Sequence, residues 1–120
     1  ENIRRIKKRV RPMSINEDVI KALKGIGVPV SFQTYTGKAN SYITFFTYLD
    51  QPESHADDEE LTTGYYVQID VWSKGDYTEL VDTVHRKMLK AGFRKQGFYD
   101  FYEDDLKIYH KAMRFFKEVL

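Results

Sequence analysis

Between residues 41 and 73 the chain is written largely with a period of two. Ile43, Phe45, Thr47 and Leu49 fall on one side of an extended segment and Tyr42, Thr44, Phe46 and Tyr48 on the other. Both sides are largely apolar or aromatic, so 41–49 predicts a strand that is central or covered on each face. The run 64–73 repeats the alternation, with Tyr65, Val67, Ile69 and Val71 against Tyr66, Gln68, Asp70 and Trp72, the pattern of a half-buried strand. After Asp76 the period lengthens: Tyr77, Leu80, Val81, Val84 and Met88 recur at helical spacing up to Gly92. Asp76 is the expected N-cap, with Glu79 three residues on.

The flanking segments complete the outline. Ser14-Ile15-Asn16-Glu17 has the form of a capping box, and Val19, Ile20 and Leu23 supply one apolar face before Gly25, Gly27 and Pro29, predicting a short helix of about ten residues. Residues 28–35 are extended by composition, and Gly37 to Asn40 predicts a turn. Phe93 to Tyr102 and Leu106 to Phe116 form an aromatic hairpin around Glu103-Asp104-Asp105. The order helix, extended segment, two strands, helix, two strands predicts one α+β domain over 13–120. It has a mainly antiparallel sheet of about four to five strands, with two helices packed on one face. The stripe Leu80, Val81, Val84 and Met88 should then cover the face carrying Tyr65, Val67, Ile69 and Val71.

Composition narrows the function classes. The 120 residues, 42% apolar and 15% aromatic, suffice for one folded core. Cysteine is absent, which removes thiolate nucleophiles, thiolate zinc sites and disulfides together. No apolar run approaches the ~20 residues of a membrane helix, and residues 1–12 have no signal-peptide character. The expectation is a soluble protein, intracellular when made. The net charge of +1 is unevenly spread: residues 1–12 carry six Lys/Arg against Glu1, a net of +5, and the remainder is −4. Residues 1–12 thus read as a flexible basic arm, as sequence upstream of a natural start at Met13, or as a nucleic-acid-binding arm that releases counterions from phosphates.

Candidate chemistry is sparse. Residues 50–60 hold six carboxylates (Asp50, Glu53, Asp57, Asp58, Glu59, Glu60) with Pro52 and His55 and no Lys or Arg. A solvated loop is the first reading, a charged contact surface the second. The EF-hand pattern of ligands and central Gly is missing, so no metal is expected there. His55, His85 and His110 lack partners at metal-ligand spacing, and His85 and His110 read as boundary or surface residues. Asp70, beside Gln68 and Trp72 on one strand face, suits a polar or interface face better than a catalytic acid. No glycine-rich phosphate loop, nucleophile elbow or base-stacking signature is found, and no cofactor is expected.

Tyr42-Ile43-Thr44-Phe45-Phe46, the acidic segment, Val67-Gln68-Ile69-Asp70-Val71-Trp72-Ser73 and the helix from Asp76 resemble the tail completion proteins of long-tailed bacteriophages. The resemblance spans roughly residues 14–118; the basic residues 1–12 lie outside it. It implies an α+β fold similar to that of the lambda tail terminator and a structural protein rather than an enzyme. Such a protein is a monomer when free and assembles as a ring, commonly a hexamer, on the head-proximal end of the tail tube. Its partners would be its own copies, the major tail tube protein and the head connector, with DNA only in passage and no membrane; its place would be the virion's head–tail junction. The assembly-interface candidates are Asp57, Asp58, Glu59, Glu60, Gln68, Asp70 and Trp72, the acidic four facing the bore or docking on a basic neighbour. A head-completion or connector protein, a nucleic-acid-binding module using residues 1–12, and a small enzyme are the alternatives.

Overall fold

The structure is a computed structural model that describes residues 14–56 and 59–120, the side chains at 55, 59 and 60 excepted. Helix α1 spans Ile15–Ala22 and α2 Thr78–Lys90; the strands are β1 Val30–Phe32, β2 Ser41–Ala56, β3 Glu59–Ser73, β4 Arg94–Glu103 and β5 Ile108–Val119. They form one five-stranded sheet in the order β1-β2-β3-β5-β4. β1 runs parallel to β2, and every other neighbouring pair is antiparallel. The α+β architecture read from the periodicities is the one observed.

Local chemistry accounts for the helix ends. Ser14 Oγ accepts from the Glu17 amide at 3.2 Å while the Glu17 carboxylate accepts from the Ser14 amide at 3.3 Å, so the capping box forms. At α2 the start falls one residue later than expected, with Tyr77 at the N-cap. The Asp76 carboxylate still accepts from the Thr78 amide (2.9 Å) and hydroxyl (2.6 Å), and these bonds hold it below the usual carboxylate range. Gly92, at φ +94°, turns the chain out of α2 into β4 through a conformation that a Cβ disfavours.

Both helices cover the same sheet face. Val19 from α1 and Leu23 at its C-cap, Val84 and Met88 from α2, and Phe93 pack on Ile43 and Phe45, Val67, Ile69 and Val71, Met113 and Phe115. The predicted stripe is in place, although Leu80, Val81 and Tyr65 sit at its margin, partly buried.

Two expectations need correction. Leu49 does not continue the buried side of β2: a bulge between Thr47 and Leu49 inserts Tyr48, reverses the alternation and leaves Leu49 exposed. The acidic segment 50–60 is not a loop over its described length. Residues 50–56 extend β2 and Glu59 and Glu60 open β3, so the two strands form a hairpin along the 55 Å length of the molecule. Like charges do not prevent this, because a two-stranded ladder needs backbone partners and no core. The Ser54 and Thr62 hydroxyls also bond across it at 2.7 Å. Pro52 stands where β1 no longer borders β2, on an edge stretch beside a register shift, the kind of place where a strand admits proline.

Candidate functional site

The opposite sheet face carries no helix, and the strand registers lay its side chains out in rows. One row runs Tyr42, Trp72, His110, Phe101; the next Thr44, Asp70, Ala112, Tyr99; the third Phe46, Gln68, Arg114, Gly97. Gln68, Asp70 and Trp72, the three β3 candidates, therefore stand at the centre of one surface.

In the first row the rings stack upon each other. The His110 ring lies on Trp72 with centroids 3.8 Å apart and planes 7° from parallel; Trp72 stacks on Tyr42 at 6.1 Å, and Tyr42 on Tyr35 at 4.3 Å. Phe101 closes the row at 5.4 Å from His110. Trp72 Nε1–H donates to Thr44 Oγ1 at 3.0 Å, which fixes the indole in the plane of the row.

Beneath the rings runs a polar chain. Arg114 Nε donates to Gln68 Oε1 (3.0 Å), Gln68 Nε2 donates to Asp70 Oδ1 (2.8 Å), and His110 Nε2 donates to the same oxygen at 2.6 Å. Asp70 is 5% exposed, and a carboxylate so buried is tolerable because these donors replace water. The Arg114 guanidinium also lies 4.8 Å from the Tyr48 ring centroid. His110 Nδ1 has no hydrogen-bond partner; the nearest carboxylate oxygen, of Glu103, is 3.8 Å away.

His110 holds the boundary position expected from the sequence, its side chain 12% exposed, but is also a member of this network, which the sequence did not indicate. His85 keeps the boundary position expected, edge-on to Phe98 at 5.0 Å. Asp57 and Asp58 lie outside the described residues, as do the side chains of Glu59 and Glu60. The backbone of Glu60 is eight residues up β3 from Gln68, about 26 Å at strand rise. The backbone of Glu59 and Glu60 is thus well separated from the β3 three.

The arrangement is a mutually bonded, ordered surface. The faces of Tyr42, Trp72 and His110 are taken by their neighbours in the stack and the polar atoms are largely spent on one another, so the surface presents Tyr99 and Phe101 to solvent. A groove of about 850 Å³ lies on the helix side and is lined by Ile20, Leu23, Ile26, Val28 and Val30 between α1 and β1. Among the described residues no three His, Cys, Asp or Glu side chains converge as metal ligands. The chain matches no protein-family model and no curated protein sequence.

Proposed function

We propose that the chain is a structural subunit of a long-tailed phage particle, a tail completion protein that rings the head-proximal end of the tail tube and joins it to the head. The observation that carries this reading is the uncovered sheet face, where a stacked aromatic row is locked over a hydrogen-bonded carboxylate and aromatic side chains remain open to solvent. A contact surface preorganised in this way loses little side-chain entropy on docking, and aromatic anchors dominate interface energetics. The long hairpin of β2 and β3 gives each subunit an arm reaching past β5, and the acidic run Asp57, Asp58, Glu59 and Glu60 falls in the sequence between Ala56 of β2 and Leu61 of β3. In a ring those charges would repel passing DNA or meet a basic neighbour.

Base stacking is a weaker reading of the same rings. A nucleobase needs a free ring face, and in this row Trp72 and His110 cover each other at 3.8 Å.

Complementation tests the proposal. In phage lacking the gene, tails should accumulate unjoined to heads, and the wild-type chain should restore joining. Tyr99→Glu with Phe101→Glu, both at exposed positions, should leave the fold intact but lower infectious particles per assembled tail by about tenfold or more. Normal joining without the gene would refute the function, and full activity of the double variant would refute the role of this face.

A further inference from the structure

Among the described residues the sheet leaves both its edges open. At one end β4 presents ten residues whose outward N–H and C=O groups pair with nothing in the sheet. At the other, β1 borders β2 only across Ile43 to Phe45, so β2 is itself an edge from Phe46 onward. We propose that these two edges bind each other between copies, head to tail, with β4 of one subunit lying antiparallel against the β1/β2 edge of the next. This rests on the ring reading and names the surfaces that would build the ring.

Direction fits first. β4 runs against β5, β5 against β3, β3 against β2, and β1 runs with β2. The chain direction of β4 is therefore opposite to that of β1 and β2, so a copy set alongside continues the sheet as an antiparallel pair. A contact between two different edges is heterologous, the type that closes rings, whereas β4 against β4 would stop at a dimer.

Charge fits next. Arg94 occupies the sheet row of Phe116, Tyr66 and Leu49, and Lys95 the row of Phe115, Val67 and Thr47. The basic end of β4 is therefore level with the stretch of β2 that leads into Asp50 and Glu53. Within the subunit Arg94 rests over the Phe116 ring and Lys95 over Phe98, and neither meets a carboxylate among the described residues. Across the proposed contact they would face Asp50 and Glu53.

Apolar shape is the third match. On the helix side of β4, Asp100 shares its row with Val71, Ile43 and, through them, Val30; Tyr102 stands one step further, in the row of Ser73 and Ser41. That is the end of the sheet at which Val28 and Pro29 lead into β1 and line the apolar groove. Tyr102 is 48% exposed and Ile20, on the groove, 53%. A side-by-side copy thus brings an unburied aromatic ring to an unfilled apolar groove on the same face, which accounts for both exposures.

The absence of native cysteine makes the test direct. Full-length chain carrying Tyr102→Cys is mixed with full-length chain carrying Ile20→Cys at high concentration and treated with a short bis-maleimide. The two chains should join preferentially over either with itself. Adding Arg94→Glu and Lys95→Glu to the first chain should cut the yield about tenfold, and Asp50→Lys with Glu53→Lys in the second should restore it, since paired reversals recreate the attraction. All four are exposed positions, and unchanged circular dichroism checks the fold of each variant. Equal yields with and without the reversals, failure of the restoring pair, Tyr102→Cys joining mainly to itself, or no product would each overturn this contact. None of those results bears on head–tail joining in complementation, so the ring function and this edge pairing fail separately.

Discussion

Replacing Asp70 with Ala tests whether the polar chain beneath the aromatic row holds it together. The Asp70 carboxylate receives two donors on one oxygen, His110 Nε2 at 2.6 Å and Gln68 Nε2 at 2.8 Å, in a position 5% exposed. Truncation strands both donors, and each buried unsatisfied group costs about 1–3 kcal/mol. Gln68 is only partly buried and can regain water, and burial of the carboxylate itself is relieved, so the net loss should be about 2–3 kcal/mol. With a urea dependence of about 1–3 kcal/mol per molar, the midpoint should fall by about 0.7–3 M. Trp72 is the only tryptophan and stacks on His110 itself, so its fluorescence reports both unfolding and any loosening of the row. Asp70→Leu separates the causes, because it fills the space and accepts nothing: it should be as unstable as the Ala variant. A midpoint for Asp70→Ala within about 0.3 M of the parent, or full rescue by Leu, would mean that packing alone sustains the row.

Four further outcomes are expected. Met88→Ala, at a fully buried position, should cost about 2–5 kcal/mol in chemical denaturation, and Leu80→Ala distinctly less because Leu80 is only partly buried. Ser14→Ala removes the capping-box acceptor and should cost about 1 kcal/mol by the same measurement. Asp100 is held below the ordinary carboxylate range by the Tyr77 hydroxyl and then by Lys111. The stability it adds is present above the unfolded carboxylate pKa and lost as pH falls through the lower folded value. Asp100→Asn should therefore flatten a stability-versus-pH curve only below about pH 4. Replacing Asp57, Asp58, Glu59 and Glu60 with Ser should leave the thermal midpoint within a few degrees while reducing infectious particles per assembled tail; full activity would make that end of the hairpin a plain connector.

Much of the fold could be read from period alone, and the exceptions share one physical cause. Alternation in Tyr65 to Trp72 and helical spacing in Leu80 to Met88 each report which side of an element faces the core, and those assignments hold. Period does not report what lies alongside. The bulge at Tyr48 that turns Leu49 outward, the parallel pairing of Val30–Phe32 with β2, and the ladder through residues 50–56 and 59–60 depend on partners distant in the chain or on local irregularity. The acidic segment was misleading because solvated strands and solvated loops share a composition once no face needs burial.

The candidate surface divides along the same line. That Gln68, Asp70 and Trp72 share a face follows from spacing within one strand; that His110, 40 residues away, completes their network follows only from the β3–β5 register. A slip of one residue would set Tyr109 or Lys111 opposite Trp72 and turn the His110 ring toward the helices. Asp70 would then be buried without its shortest hydrogen bond. The register is held from the other face, where Met113 and Phe115 sit fully buried beside Ile69 and Val67, so a slip would expose two core side chains at about 1.5–3 kcal/mol each. The core packing under the helices is therefore what aligns the aromatic row on the open side, and a core variant that loosens the β3–β5 pairing should disturb Trp72 fluorescence before the sheet itself unfolds.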